Sequence, residues 1–371
     1  MPARPSATVG ASIADIDTPA LVLDLDAFER NIATMTTAVR GSGARLRPHA
    51  KSHKCPEIAK RQIKAGAVGI CCQKVSEAEA FVDAGIRDIL VSNEIVGPAK
   101  VRRLANLARR ARIAVCVDNA RNVAELSAAA NEAGVVIDVL IEINVGANRC
   151  GVEPGEPSLA LVRAIKAAPF LRYAGIHAYQ GSAQHLRSVA DRRAAIQRAA
   201  AQVKTTKELL ASYRIPCETI TGAGTGSFMF EAASEVYNEL QPGSYIFMDA
   251  DYNANAWDGF PRFEQSLFVF TTVMSTPTRD RIVVDAGLKA SSIDSGLPVV
   301  TGWPGLEYTK ASDEHGVIRV TESARMPVLG EPLRLIPGHC DPTVNLYDWM
   351  VCIRQERVEA VWPISARGAL G

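Results

Sequence analysis

The chain has 371 residues, of which 47% are hydrophobic and 22% charged, and its formal net charge is +1. That length exceeds one small core and predicts a large domain with a smaller companion. A near-neutral balance gives no electrostatic case for nucleic acid or an anionic membrane, and no apolar run reaches membrane-spanning length.

The opening "MPARPSATVGASIADIDTPA" lacks the apolar segment of a secretion signal, so a cytoplasmic protein is expected. It also carries no helix signal and is expected to add a strand to a β domain. "PALVLDLD" then leads into a helix near 27–40. Strand candidates follow at 44–49, 67–72, 88–93, 112–118, 136–144, 172–179, 217–222 and 236–241, as near-continuous apolar runs of the kind buried on both faces. Amphipathic helical segments lie between them, among them "SEAEAFVDAG", "PAKVRRLANLARRA" and "SVADRRAAIQRAAAQVKTTKELLASY". These alternations fit a closed (β/α)8 barrel better than an open doubly wound sheet, which is the alternative. From residue 262 the texture changes to strands separated by turns, as in "SLFVFTTVMSTPTRDRIVVDAG" and "DWMVCIRQERVEAVWPI", which reads as an antiparallel β domain. The division is therefore a barrel over 20–255 and a β domain formed by 1–19 and 256–371. The eight cysteines include no C-x-x-C pair, and several sit in apolar runs such as "AVGICCQ". They read as buried free thiols in a reducing compartment.

In such a barrel, functional groups sit in the loops that follow the strands. "RPHAKSHKCP" (47–56) puts Lys51 after the first strand, Gln73 ends the second, and Arg149 in "NVGANRCGV" follows the fifth. Tyr179 ends the sixth strand, "TGAGTGS" (221–227) follows the seventh and "QPGSY" (241–245) the eighth. Glycine-rich loops at those last two places commonly close around phosphate through bare backbone N–H groups. A phosphate pocket facing a lysine suggests pyridoxal 5′-phosphate held as a Schiff base, with burial and cationic neighbours depressing the Lys51 pKa. On composition alone the same stretch reads equally as a solvated basic loop. Lys54 is expected to be exposed, and His49 and His53 to share Lys51's face of an extended segment.

Further on, "PGHCDPTVNLYD" (337–348) carries His339 and Asp341 at i and i+2. On an extended strand both point one way and can share an ion, with Cys340 facing away. Two protein ligands leave positions open, as a catalytic metal requires, and the hard aspartate oxygen favours Mn²⁺ or Mg²⁺. In isolation the pair is common by chance. His177 reads as a core residue, and His185 and His315 as loop residues without a visible partner. Asp285 reads as a structural cap or an interface residue. The arginine pairs 102–103, 109–110 and 192–193 read as solvated helix faces.

Taken together, "DTPALVLDLDAFERNI", "RPHAKSHK", "GIHAYQGS", "TGAGTGS", "ELQPGSYIFMDADY", "VDAGLKA" and "PGHCDPTVNLYD" resemble the D-threonine aldolase family. That family is similar to the eukaryotic-type D-serine dehydratases, within the alanine-racemase-like fold of pyridoxal-phosphate enzymes. The match spans nearly the whole chain in motif order. It implies a homodimer with active sites near the subunit interface, and Lys51 as the Schiff-base lysine. It also implies that Arg149 faces the cofactor ring's oxygen and that Tyr179 and Gln73 line the ring. Thr221, Gly224, Thr225, Gly243 and Ser244 would hold the phosphate, with Tyr252 joining them, and Lys51 or His53 would carry protons. The implied reaction is metal-dependent retro-aldol cleavage of a D-β-hydroxy-α-amino acid. D-threonine would give glycine and acetaldehyde, or D-3-hydroxyaspartate glycine and glyoxylate. A dehydratase of the same fold is the alternative; those relatives use His-x-Cys and zinc. The cofactor groups and metal ligands come from different domains, so two separable sites are expected.

Overall fold

The computed structural model describes residues 4–322 and 324–371. The first strand, β1 (Ala20–Asp24), is followed by a helix over Leu25–Ser42 that starts on Asp24, whose side chain accepts the Ala27 N–H. Eight strands then form one parallel sheet: β2 (Arg45–Leu46), β3 (Ile70–Cys72), β4 (Asp88–Glu94), β5 (Arg112–Val117), β6 (Ile137–Glu142), β7 (Leu171–His177), β8 (Thr219–Gly222) and β9 (Glu239–Leu240). They fall on the eight apolar runs read from the sequence. β6 is buried at all six positions, as a strand covered on both faces must be.

The regular ladder runs from β3 through β9 to β2. Between β2 and β3 the sheet is stitched by a single His49–Cys71 bridge and by hydrogen bonds from Val68 N to Leu46 O (2.9 Å) and Cys71 N to Pro48 O (2.8 Å). Pro48 has no N–H to give back, which keeps β2 short although the chain continues extended to His49. The long outer helix Val189–Ser212 begins on Ser188, whose hydroxyl accepts the N–H groups of Ala190 and Asp191.

A second, nine-stranded sheet is built from β1 and β10 (Leu267–Thr278), β11 (Arg281–Val284), β12 (Val299–Thr301), β13 (Leu306–Ala311), β14 (Gly316–Val320), β15 (Pro332–Ile336), β16 (Trp349–Arg354) and β17 (Arg357–Pro363). It is antiparallel except where β1 runs parallel to β16. β1 lies in this sheet, so the second domain takes up chain from the segment that the sequence division began the barrel with. Asp285 is a structural tie: it accepts Thr18 Oγ1 and Thr271 Oγ1, both at 2.6 Å, and the Thr272 N–H.

All eight cysteines are free thiols, six of them buried. Arg192 departs from the expected solvated face. It is fully buried and donates to the carbonyls of Leu186, Arg187 and Ala256. Among the described residues no helix is long and apolar enough to cross a membrane.

Candidate active site

At the C-terminal ends of the barrel strands lies a cavity of about 380 Å³ lined by Lys51, Gln73, Arg149, Tyr179, Gly224, Thr225, Gly243, Ser244 and Tyr252, all of them expected from the sequence. Its lining also includes His49, Ser52, Ser92, His177, His185 and Gln241. Lys51 does not stand on an extended segment. Residues Ala50–Ser52 form one 3-10 turn, capped by His49, whose Nδ1 accepts the Lys51 N–H at 3.4 Å.

The Lys51 ammonium meets Asp341 Oδ2 at 2.5 Å, so the residue expected in a separate metal site is part of this one. That contact also reverses the expected electrostatics. Burial pulls the Lys51 pKa down, but the Asp341 charge and hydrogen bond, with Tyr179 and Cys340 nearby, together outweigh it and raise the pKa above an ordinary lysine's. Asp341, although partly buried, is held well below the carboxylate range by the charges of Lys51 and His339.

His53 does not reach the cavity. It is fully buried, its Nδ1 accepts the Cys55 N–H at 3.0 Å, and burial pushes its pKa down to about 3. Lys54, expected to be exposed, is buried and paired with Glu77 at 2.8 Å. Lys51 alone of the two reaches the cavity.

The glycine-rich loops have the shape of an anion cradle. A Cβ on Gly224 would meet Gln184 Oε1 at 2.5 Å, and one on Gly243 would meet Ser52 Oγ at 2.5 Å and the His49 carbonyl at 2.9 Å. Close approach to the neighbouring backbone is therefore the reason for glycine at Gly243, whereas at Gly224 the neighbour is the end of the Gln184 side chain. Thr225 Oγ1 accepts the Tyr245 N–H at 3.0 Å, which pins one loop to the other. Thr221 sits behind this surface, fully buried, and accepts a hydrogen bond from Gln241. On the opposite wall the Arg149 guanidinium lies 5.7 Å from the Tyr179 ring centre. Burial raises the pKa values of Tyr179 and Tyr252, so both phenols keep their protons and remain donors.

His339 and Asp341 do not lie on a strand. His339 caps a short helix, Cys340–Val344, that carries Asp341 in its first turn. Cys340 is buried, and its thiol turns back to Asp341 Oδ1 at 3.2 Å. Asp294, not found from the sequence, holds His339 Nδ1 at 2.9 Å and so leaves Nε2 as the ring nitrogen open to an ion. Its contact spans 45 residues of chain, which no local pattern reveals. A partly buried carboxylate that already accepts one cation, beside an imidazole oriented by a second carboxylate, fits a divalent ion. The cradle, Lys51 and the Arg149–Tyr179 wall fit a phosphorylated aromatic aldehyde. His185, which had no visible partner in the sequence, pairs with Asp251 at 2.6 Å beside the Tyr252 ring.

Residues 23–251 match the family described as alanine racemase, N-terminal domain, and 266–353 the putative serine dehydratase domain. The chain is 53% identical over 364 residues to a D-threonine aldolase of an Arthrobacter species, covering 98% of this chain and 96% of that protein. It is 48% identical to a 3-hydroxy-D-aspartate aldolase of Paracoccus denitrificans, covering 97% and 94%. The crystal structure of D-threonine aldolase from Filomicrobium marinum superposes with a TM-score of 0.97 at 51% identity, covering both chains completely.

Proposed function

Because this chain belongs to the D-threonine aldolase family, on an alanine-racemase-like fold, we propose that it cleaves the Cα–Cβ bond of D-β-hydroxy-α-amino acids, with pyridoxal 5′-phosphate on Lys51 and a divalent ion at His339 and Asp341. It is a carbon–carbon lyase that releases an aldehyde and glycine. The observation that carries the site assignment is the Lys51–Asp341 contact, which brings the attachment point and a metal ligand together.

When bound, such a cofactor supplies a sink for the electron pair of the breaking bond, and a divalent ion acidifies the β-hydroxyl. The chain's own groups do the rest. Backbone N–H groups around Gly224 and Gly243, with the Thr225 and Ser244 hydroxyls and the Tyr252 phenol, would bind the phosphate. Arg149 would face the ring oxygen, and Tyr179 and Gln73 would line the ring. Lys51 Nζ holds a proton inside the cavity and is proposed to deliver the proton that Cα takes up after the Cα–Cβ bond breaks. His53 is not, because it is capped by Cys55 and lies outside the cavity. His339, turned by Asp294, and Asp341 face the substrate's β-hydroxyl.

Mn²⁺ or Mg²⁺ suits the aspartate oxygen better than Zn²⁺. The working protein is proposed to be a cytoplasmic homodimer, and its small-molecule substrate to be D-threonine or D-3-hydroxyaspartate; both activities occur among its relatives. A second reading, dehydration at the same site, rests on the dehydratase-like C-terminal segment. Product analysis separates the two. Glycine and an aldehyde in equal amounts support cleavage, whereas ammonia and a keto acid refute it.

A further inference from the structure

Deeper in the cavity lies a polar cluster that no step above uses. Glu142 ends β6 and His177 ends β7, and the two are register partners in the parallel ladder. Both are buried, at 4% and 2% exposure. Glu142 Oε2 lies 3.2 Å from His177 Nδ1, but the N–H does not point along that line. Neither atom has a hydrogen-bond partner among the described residues. Across the imidazole, His177 Nε2 lies 3.4 Å from Gln241 Oε1. Gln241, 3% exposed, gives an amide hydrogen to Thr221 Oγ1 at 2.7 Å. An amide nitrogen carries two hydrogens, so one remains for the cavity that Gln241 and His177 both line.

The charges decide which way this chain of groups points. Glu94 lies against Glu142, and burial together with the Glu142 charge pushes its carboxyl up to about 7. Glu142 keeps the negative charge: burial opposes it, but His177, the Glu94 carboxyl beside it and Arg149, at 3.7 Å, together outweigh burial. His177 is correspondingly raised by Glu142 in spite of burial. A protonated imidazole donates from both nitrogens, so Nε2–H fixes the oxygen of Gln241 and with it the amide orientation. Were His177 neutral and accepting at Nε2, the amide could turn over. One carboxylate thus holds Arg149 on the wall and, through His177, Gln241 below it.

We propose that Glu142 and His177 are positioning residues that fix the Gln241 amide, so that one Gln241 N–H is aimed as a donor at the pyridine nitrogen of the bound cofactor. This rests on the reading of the cavity as a pyridoxal-phosphate site. Outside its phosphate arm the ring offers two acceptors, the oxygen and the nitrogen, and Arg149 is assigned to the oxygen. A neutral amide donor suits an unprotonated ring nitrogen and disfavours a pyridinium, because two N–H groups would then face each other.

The test uses holoenzyme loaded with ¹⁵N-labelled pyridoxal phosphate, whose nitrogen signal separates pyridine from pyridinium, together with absorbance titration of cofactor affinity. Wild type is expected to show the unprotonated nitrogen, and Gln241→Glu to move the signal to the protonated position. Glu142→Gln is expected to weaken cofactor binding at least tenfold, with Glu142→Asp restoring part of it. A pyridinium signal in wild type overturns the proposal, as does an unmoved signal in Gln241→Glu. If the Glu142 variants misfold, the Gln241→Glu signal decides alone. If wild type acquires no visible absorption with the cofactor, the cavity reading itself falls, and this proposal falls with it.

Discussion

Gly243→Ala isolates the close approach between the two loops that carry Lys51 and the proposed phosphate contacts. Gly243 has φ −117°, which alanine adopts freely, so the backbone adds no strain. The cost is contact alone. The added methyl would stand 2.5 Å from Ser52 Oγ and 2.9 Å from the His49 carbonyl, where ordinary contacts begin near 3.4 Å. The loops must therefore part by roughly half an ångström to one ångström, or the methyl remains overpacked at about 1–3 kcal/mol. Because this strain falls on the segment bearing Lys51, cofactor affinity should drop about tenfold or more, at about 1.4 kcal/mol per tenfold. Gly243→Val should weaken it further. Ser52→Ala removes the nearer obstacle but leaves the carbonyl, so the double variant Ser52→Ala/Gly243→Ala should recover part of the loss. The assay is absorbance titration with pyridoxal phosphate, with the melting temperature of the cofactor-free protein as control. Unchanged affinity in Gly243→Ala, or no recovery in the double variant, would refute the reasoning.

Lys51→Ala should abolish the visible absorption of cofactor-treated protein. Lys54→Ala should keep it while losing about 3–5 kcal/mol of stability, because it strands the buried Glu77 carboxylate, measurable by denaturant unfolding. Asp294→Asn should raise the metal concentration needed for half-maximal cleavage by about ten- to a hundredfold, because His339 loses the carboxylate that orients it. His53 has a folded pKa of about 3, below its unfolded value, so the unfolded state binds more protons between the two. Stability should therefore fall as pH drops below about 6.5, by up to about 1.4 kcal/mol per pH unit from this group. His53→Asn keeps an acceptor for the Cys55 N–H without titrating, and unfolding curves between pH 5 and 7 should show a shallower slope for it.

The barrel was legible because burial on both faces writes itself into the sequence as apolar runs, and because functional groups collect where those runs end. Lys51, Arg149, Tyr179 and the loops at Gly224 and Gly243 were singled out that way, and all of them line the cavity. What stayed hidden are properties of contact. Lys54 is buried because Glu77 approaches from the helix Val75–Asp83, and Arg192 because three carbonyls gather around its guanidinium. The helical start at Cys340 was signalled by Pro342, a residue suited to a first turn, but the alternation of His339 and Asp341 suggested a strand instead. Gln241 stood in view before "PGS", yet its role depends on His177 and Glu142, sixty or more residues away, and on a charge balance that no spacing encodes.

Lys51 and the His339–Asp341 pair are proposed to form one site, in which the ion serves the substrate's β-hydroxyl rather than the fold or the cofactor. The most direct measurement is the rate of glycine and aldehyde formation from D-threonine against added Mn²⁺, in wild type and in Asp341→Ala, with cofactor absorption recorded on the same samples. Wild type is expected to show a metal-dependent rate, and Asp341→Ala to be folded and coloured yet not to cleave at any Mn²⁺ concentration. Full activity without metal in both proteins would contradict the proposal.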